Sequence, residues 1–141
     1  MATVHVERDF SVPVETLFDH LSEHENLATL FAPARVERLR DGVDARNGVG
    51  SVRKLSFKGL LPFEETVTVV TENERIEYQI TKGTPLRHHY GVMKFSPTPS
   101  GGSHLDYTIT LEAPIPGLAS AIAATLTRTI KSGLNRVEAE L

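Results

Sequence analysis

The chain opens on an alternation. Between residues 3 and 12, Val4, Val6, Phe10 and Val12 are apolar, while His5, Glu7, Asp9 and Ser11 between them are polar. A period of two predicts a strand with one buried face. Arg8 interrupts the apolar set, as a bulge, as a snorkelling end or as a polar group turned inward. Pro13 then suits a helix start, where its missing N–H costs nothing. Val14, Leu17, Phe18 and Leu21 follow at i, i+3, i+4 and i+7, the stripe of a short amphipathic helix with Glu15 in its first turn. A second short helix over about 25–32 offers Leu27, Leu30 and Phe31 before Pro33 stops it.

From 34 to 113 the pattern is strand-like. Strands are predicted near 34–40, 49–57, 63–71, 75–82, 86–96 and 103–113. Between them lie turn signals at Asp41-Gly42, Asn47-Gly48, Lys58-Gly59, Thr71-Glu72-Asn73-Glu74, Lys82-Gly83-Thr84-Pro85 and residues 97–102. Connections this short imply antiparallel neighbours, because a parallel pair needs a long crossover. After Pro114 and Pro116 the period changes. Leu118, Ile122, Leu126, Ile130, Leu134, Val137 and Leu141 keep a helical spacing, with Ala119, Ala123 and Gly133 on the same stripe and Arg128, Lys131, Asn135 and Glu138 opposite. One continuous helix is expected over 117–139. At 1.5 Å per residue it would reach about 36 Å, enough to cross a small domain.

The order is one strand, two short helices, six strands and one long helix. It predicts an α+β domain over 1–141: a curved antiparallel sheet wrapped around the C-terminal helix, with the short helices closing one end. Such a concavity is either plugged by large side chains or left hollow, and the chain has no tryptophan to plug it.

Composition narrows the function. With no cysteine, a disulfide framework, a thiolate metal site and a cysteine nucleophile are all excluded. Fifteen Lys+Arg against eighteen Asp+Glu give a net charge of −3, which argues against a nucleic-acid binder. Apolar residues at 40% and charged residues at 23% are globular values. The first residues lack the apolar core of a signal peptide, and no apolar run is long enough to span a bilayer. A cytoplasmic protein without stable membrane insertion, monomeric or homodimeric, is expected.

Several local patterns, taken in order, resemble the Bet v 1-like, or START-like, superfamily, and within it the bacterial polyketide cyclase/dehydrase and lipid-transport group. They are Phe10-Ser11-Val12-Pro13 through Leu21, Gly48-Val49-Gly50-Ser51-Val52-Arg53-Lys54-Leu55, Glu65, Arg75-Ile76-Glu77-Tyr78-Gln79-Ile80, Gly83-Thr84-Pro85-Leu86 ahead of Tyr90, and Phe95-Ser96-Pro97 with Gly101-Gly102. Leu30-Phe31 and Tyr107 stand where the family usually has tryptophans. Lys58-Gly59-Leu60 and Leu61-Pro62 are similar to the coenzyme Q-binding branch. The resemblance implies a helix-grip fold with a hydrophobic ligand between sheet and helix, and catalysis in only some members.

Strand periodicity places the candidate residues. Arg53 shares a face with Leu55 and Phe57, and Glu65 shares one with Phe63, Val67 and Val69. On adjacent antiparallel strands the two become cross-strand partners. They form either an anchor for a ligand carbonyl, carboxylate or phenol, or a satisfied ion pair. Tyr78 alternates with Ile76 and Ile80, and Tyr107 with Leu105, Ile109 and Leu111. Each is an apolar body with a polar tip, suited either to orienting a greasy ligand or to core packing. Met93 and Phe95 set a phase that turns His89 inward, whereas a bulge at Gly91 would bring in Tyr90 instead. Ile122 and Leu126 face these from the helix, and Phe31 guards the mouth.

Six histidines raise the question of a metal. His20 and His24 straddle a helix end, adjacent His88 and His89 point to opposite faces, and no third ligand is placed. No metal site is therefore expected, nor any cofactor: neither a nucleophile elbow nor a dinucleotide fingerprint is present. The Ala/Thr-rich stretch 119–129 reads as a close-packed helix. The chain is thus expected to bind a small hydrophobic molecule, such as a lipid, quinone or polyketide-like aromatic. A cyclase/dehydratase of aromatase type, with a tyrosine or histidine moving protons and Arg53 stabilising an enolate, is the alternative.

Overall fold

In β1 (Ala2–Phe10) the apolar alternation does what the pattern requires, with Val4, Val6 and Phe10 buried and His5, Glu7 and Asp9 exposed. The computed structural model describes residues 1–57, 61–83 and 86–141. Arg8 takes the third of its readings. It turns toward the C-terminal helix, where its guanidinium bonds Asn135 and Glu138. Pro13 caps α1 (Val14–Ser22) from one position earlier than expected, and its carbonyl accepts the N–H groups of Thr16 and Leu17. A single 3-10 turn (His24–Asn26) leads into α2 (Leu27–Leu30).

The six later strands are β2 (Arg35–Arg40), β3 (Val52–Ser56), β4 (Phe63–Thr71), β5 (Arg75–Lys82), β6 (Arg87–Pro97) and β7 (Ser103–Glu112). They join β1 in one antiparallel sheet ordered β1-β7-β6-β5-β4-β3-β2, so the meander closes on itself only where β7 returns to β1. The expected turns at 58–60 and 84–85 lie outside the described residues. α3 (Leu118–Glu140) is one continuous helix and packs most closely on β1, β7 and α2. This is the helix-grip α+β architecture.

One boundary and one facing differ from expectation for identifiable reasons. β3 begins at Val52 rather than near 49, because the preceding loop has its own tertiary partners. Arg38 of β2 reaches Glu23, Glu25 and Asn47, while Arg46 reaches Glu23, so the loop is tied to the 3-10 turn, and only its end at Gly50 and Ser51 bonds β4 through Val67. In β4, Val69 does not share the inner face with Val67. Val67 pairs with Tyr78 and Val69 with Glu77, so Thr68 is an extra residue, and Val70 comes opposite Ile76 to pack on the core. One added residue flips every following side chain.

Gly133 is a close contact between α2 and α3. A Cβ there would collide with the carbonyl of Leu30, so the missing side chain is what lets α2 lie against α3. The stripe read from the sequence is buried at Ala123, Ile130, Gly133, Leu134 and Val137. Toward the start of the helix, Ala119, Ile122 and Leu126 are only half-buried. Nearby Ser120, Ala121, Ala124 and Thr125 are exposed, so the Ala/Thr-rich stretch is close-packed on one side only. Among the described residues no helix is long and apolar enough to cross a membrane.

Candidate functional site

Register brings the polar residues of the inner face together. Arg53 on β3 lies directly opposite Glu65 on β4, with Arg53 Nε donating to Glu65 Oε1 at 2.9 Å. The two side chains are 3% and 4% exposed, so this is an ion pair of the interior. One strand further, Tyr78 on β5 slides its ring beneath the guanidinium, whose carbon is 4.6 Å from the ring centroid. Its hydroxyl shares a hydrogen bond with that of Tyr107 on β7, the rings meeting edge to face at 6.5 Å.

Tyr78 and Tyr107 are two strands apart, and β6 runs between them. Gly91 of β6 pairs with Tyr78 on one side and Ile109 on the other. A Cβ at Gly91 would strike the hydroxyl end of Tyr78. The glycine therefore opens the passage that lets one phenol reach the other. Met93 sits opposite both Ile76 and Tyr107 and forms the apolar floor beside them.

His89 is buried on the same face, which decides between it and Tyr90. Gly91 stays in register, and the irregularity falls earlier, between Arg87 and Tyr90, where His88 adopts a φ of 50°. Tyr90 points outward and is 44% exposed, so it cannot line the interior as expected. Burial pushes the His89 imidazole down toward its neutral form, against the opposing pull of Glu65. Its Nδ1 has no hydrogen-bond partner among the described residues. Burial likewise pushes both phenols up, Tyr78 most strongly, so both stay protonated at neutral pH.

The remaining candidates are placed less centrally. Phe31 caps α2 and is buried in the core, so it does not stand exposed at a mouth. Ile122 and Leu126 pack on the same core from α3 and stay half-buried. Two open grooves, of about 570 and 420 Å³, lie elsewhere. One runs along Ala28, Ala34 and β2–β3, the other along Leu39, Arg40, Glu64 and Lys82, and neither is lined by Arg53 or its partners.

Sequence reasoning missed His24. It is buried on the 3-10 turn, and Ser51 Oγ lies 3.2 Å from its Nε2. Ser51 spends its own proton on the Gly48 carbonyl at 2.7 Å, which leaves His24 Nε2 to be the donor and Nδ1 an acceptor with no partner among the described residues. Burial, reinforced by the charges of Arg53 and Arg38, holds the imidazole down at about 3. No local signal marks a pair 27 residues apart.

Comparison with known proteins accords with this geometry. The family model described as polyketide cyclase / dehydrase and lipid transport matches residues 1–141. The chain belongs to that family. A START superfamily protein from Mycobacterium smegmatis superposes with a TM-score of 0.80 at 15% identity, covering 98% of this chain and 95% of that one. A Thermobifida fusca protein solved by NMR gives 0.77 at 14% identity, over 98% and 91%. Ara h 8.0201 gives 0.69 at 19% identity, over 99% of both chains. No curated protein matches the sequence significantly. Family and fold together indicate a hydrophobic-ligand domain of this superfamily, with START and Bet v 1-like relatives alike in fold.

The chemistry available at the cluster is recognition more than reaction. A guanidinium carries five N–H donors, and Nε alone is spent on Glu65 among the described residues. The charges of Arg53 and Glu65 cancel, and His89 and the phenols are neutral. The site is polar yet carries no net charge.

Proposed function

We propose that this protein binds one small, mainly apolar, uncharged molecule between the inner sheet face and α3, and that the molecule's polar end, a carbonyl or hydroxyl, bonds the donors of Arg53 other than Nε. A lipid, a quinone or a polyketide-like aromatic has the required chemistry. The observation that carries the reading is the buried Arg53–Glu65 pair, held by one hydrogen bond and backed by Tyr78. A carboxylate ligand would bring an unbalanced negative charge into this interior, so a neutral acceptor is preferred over an ion. The half-buried Ile122 and Leu126 supply apolar walls. Transport of the bound molecule is a natural extension.

Native mass spectrometry of protein purified without detergent should find a co-purified neutral molecule at one per chain. Replacing both charges, Arg53→Met with Glu65→Leu, should keep the fold and abolish saturable binding of a fluorescent apolar carbonyl probe. Unchanged binding in that double variant overturns the anchor.

One observation favours a second reading, a cyclase/dehydratase. The protonated phenols cannot act as bases, but neutral His89, whose buried Nδ1 has no partner among the described residues, can accept a proton beside Glu65. Such an enzyme would lose turnover of a polyketone in His89→Gln while still binding it.

A further inference from the structure

The outer face of β1 and β7 carries a second cluster, remote from the ligand site because it lies on the opposite side of the sheet. Glu7 pairs in register with Asp106, His5 with Thr108 and Asp9 with His104. The side chains then meet on the diagonals. His5 Nε2 lies 2.9 Å from Asp106 Oδ1 and 3.9 Å from Glu7 Oε2. One ligand atom from each of His5, Glu7 and Asp106 falls within 4.8 Å of the others. The second oxygen of Glu7 is 3.1 Å from His104 Nε2, and His104 Nδ1 is 2.5 Å from Asp9.

We infer that this face binds a divalent transition-metal ion of the zinc class, with His5 Nε2 and the carboxylates of Glu7 and Asp106 as its ligands. Zinc holds N and O donors at about 2.0–2.2 Å, which puts tetrahedral ligand atoms about 3.4 Å apart. The separations from His5 Nε2, 2.9 and 3.9 Å, bracket that value, and with all three atoms within 4.8 Å of one another side-chain rotation closes the set. Imidazole plus carboxylate is a donor mixture suited to zinc, copper or nickel rather than magnesium. The nearest strand neighbour carries one fixed cation on this face, Lys94, opposite Asp106 on β6, against three carboxylates; Arg75, opposite Lys94 on β5, is paired with Glu77. His104 is a positioning residue. Asp9 orients its ring, and the ring holds the far oxygen of Glu7, so that the near oxygen faces His5. His5 and Glu7 are about half exposed, and an ion reaches them from solvent. Three protein ligands leave a further position open to water.

The arrangement was invisible in the sequence because its histidines stand 99 positions apart, and only the pairing of the first strand with the last joins them. Calorimetric titration of the untagged full chain with Zn²⁺ at pH 7 tests it. One saturable site is expected, weakened at least tenfold by His5→Ala and by Asp106→Asn, with thermal stability of the metal-free protein little changed. His104→Gln should weaken binding by a smaller factor, and His88→Ala, an exposed histidine elsewhere, should not change it. Unsaturable uptake, binding indifferent to His5→Ala, or equal competition by Mg²⁺ would overturn the assignment.

Discussion

At the scale of single residues, the interior is decided by one charge pair and one missing side chain. Arg53 and Glu65 are both withdrawn from water, so each depends on the other for its counter-charge. Glu65→Gln should destabilise by about 3–5 kcal/mol, because it leaves a buried guanidinium unmatched, whereas replacing both residues by apolar ones should cost far less or even stabilise. Urea unfolding of the single and double variants measures the difference. If the two variants unfold at the same midpoint, the pair is not the source of the cost. Gly91 provides the complementary test. Gly91→Ala forces a methyl into the hydroxyl end of Tyr78. The expected loss is about 1–3 kcal/mol, the range for overpacking a tight core, together with a change in the near-ultraviolet tyrosine signal as the contact with Tyr107 breaks. A silent substitution would mean that Tyr78 reaches Tyr107 by another path.

At the scale of elements, α3 matters through what it leans on. Its second half is locked against α2 and β1, with Ile130, Leu134 and Val137 buried, while its first half meets the sheet through half-buried side chains. Helix propensity alone says that Gly133→Ala should gain about 1 kcal/mol. The structure reverses the sign, because the new methyl meets the Leu30 carbonyl. Thermal denaturation should show a lowered midpoint for Gly133→Ala. A raised midpoint would show that α2 moves aside at no cost. The loop before β3 is a second element held from outside. The Arg46 hydrogen bond pulls Glu23 down to about 2, yet this pair is largely solvated and its share of stability is correspondingly small.

At the scale of the whole molecule, stability should depend on pH in a direction set by its buried histidines. His24 sits at about 3 when folded against 6.5 ordinarily, and His89 is lowered as well. The unfolded chain therefore binds more protons than the folded one below about 6.5. For His24 this stability is full above that pH and is lost as pH falls toward 3, at up to about 1.4 kcal/mol per pH unit, and His89 acts in the same direction. His104 acts oppositely. Its carboxylate neighbours, Asp9 first, raise it, so its contribution is full below 6.5 and fades as pH climbs through the raised value. With its side chain about one-third exposed, solvent screens it and it offsets only part of this. His24→Gln keeps a donor for Ser51 without titrating, so its unfolding midpoint should vary less between about pH 6.5 and about pH 4.5 than that of the unaltered chain. Equal pH dependence in both proteins would remove His24 as the cause.

The amino-acid sequence alone determined the features that rest on period and punctuation. The seven strands, the short helices after β1 and the full length of α3 come from alternation, i+3/i+4 spacing and turn residues, because burying one face of each element needs only local order. Antiparallel pairing comes from short connections, and that was enough to set Arg53 opposite Glu65 and to turn Tyr78 and Tyr107 inward. Tertiary structure decided whatever depends on an added residue or on distant partners. The bulge at Thr68 exchanged Val69 for Val70, and the absence of one at Gly91 kept the Met93 phase, with His89 inside and Tyr90 in solvent. The burial of Phe31 and the pairing of His24 with Ser51 have no local signature. Neither has the meeting of His5 with Asp106. A period says which way a side chain points, but only the folded sheet determines what it points at.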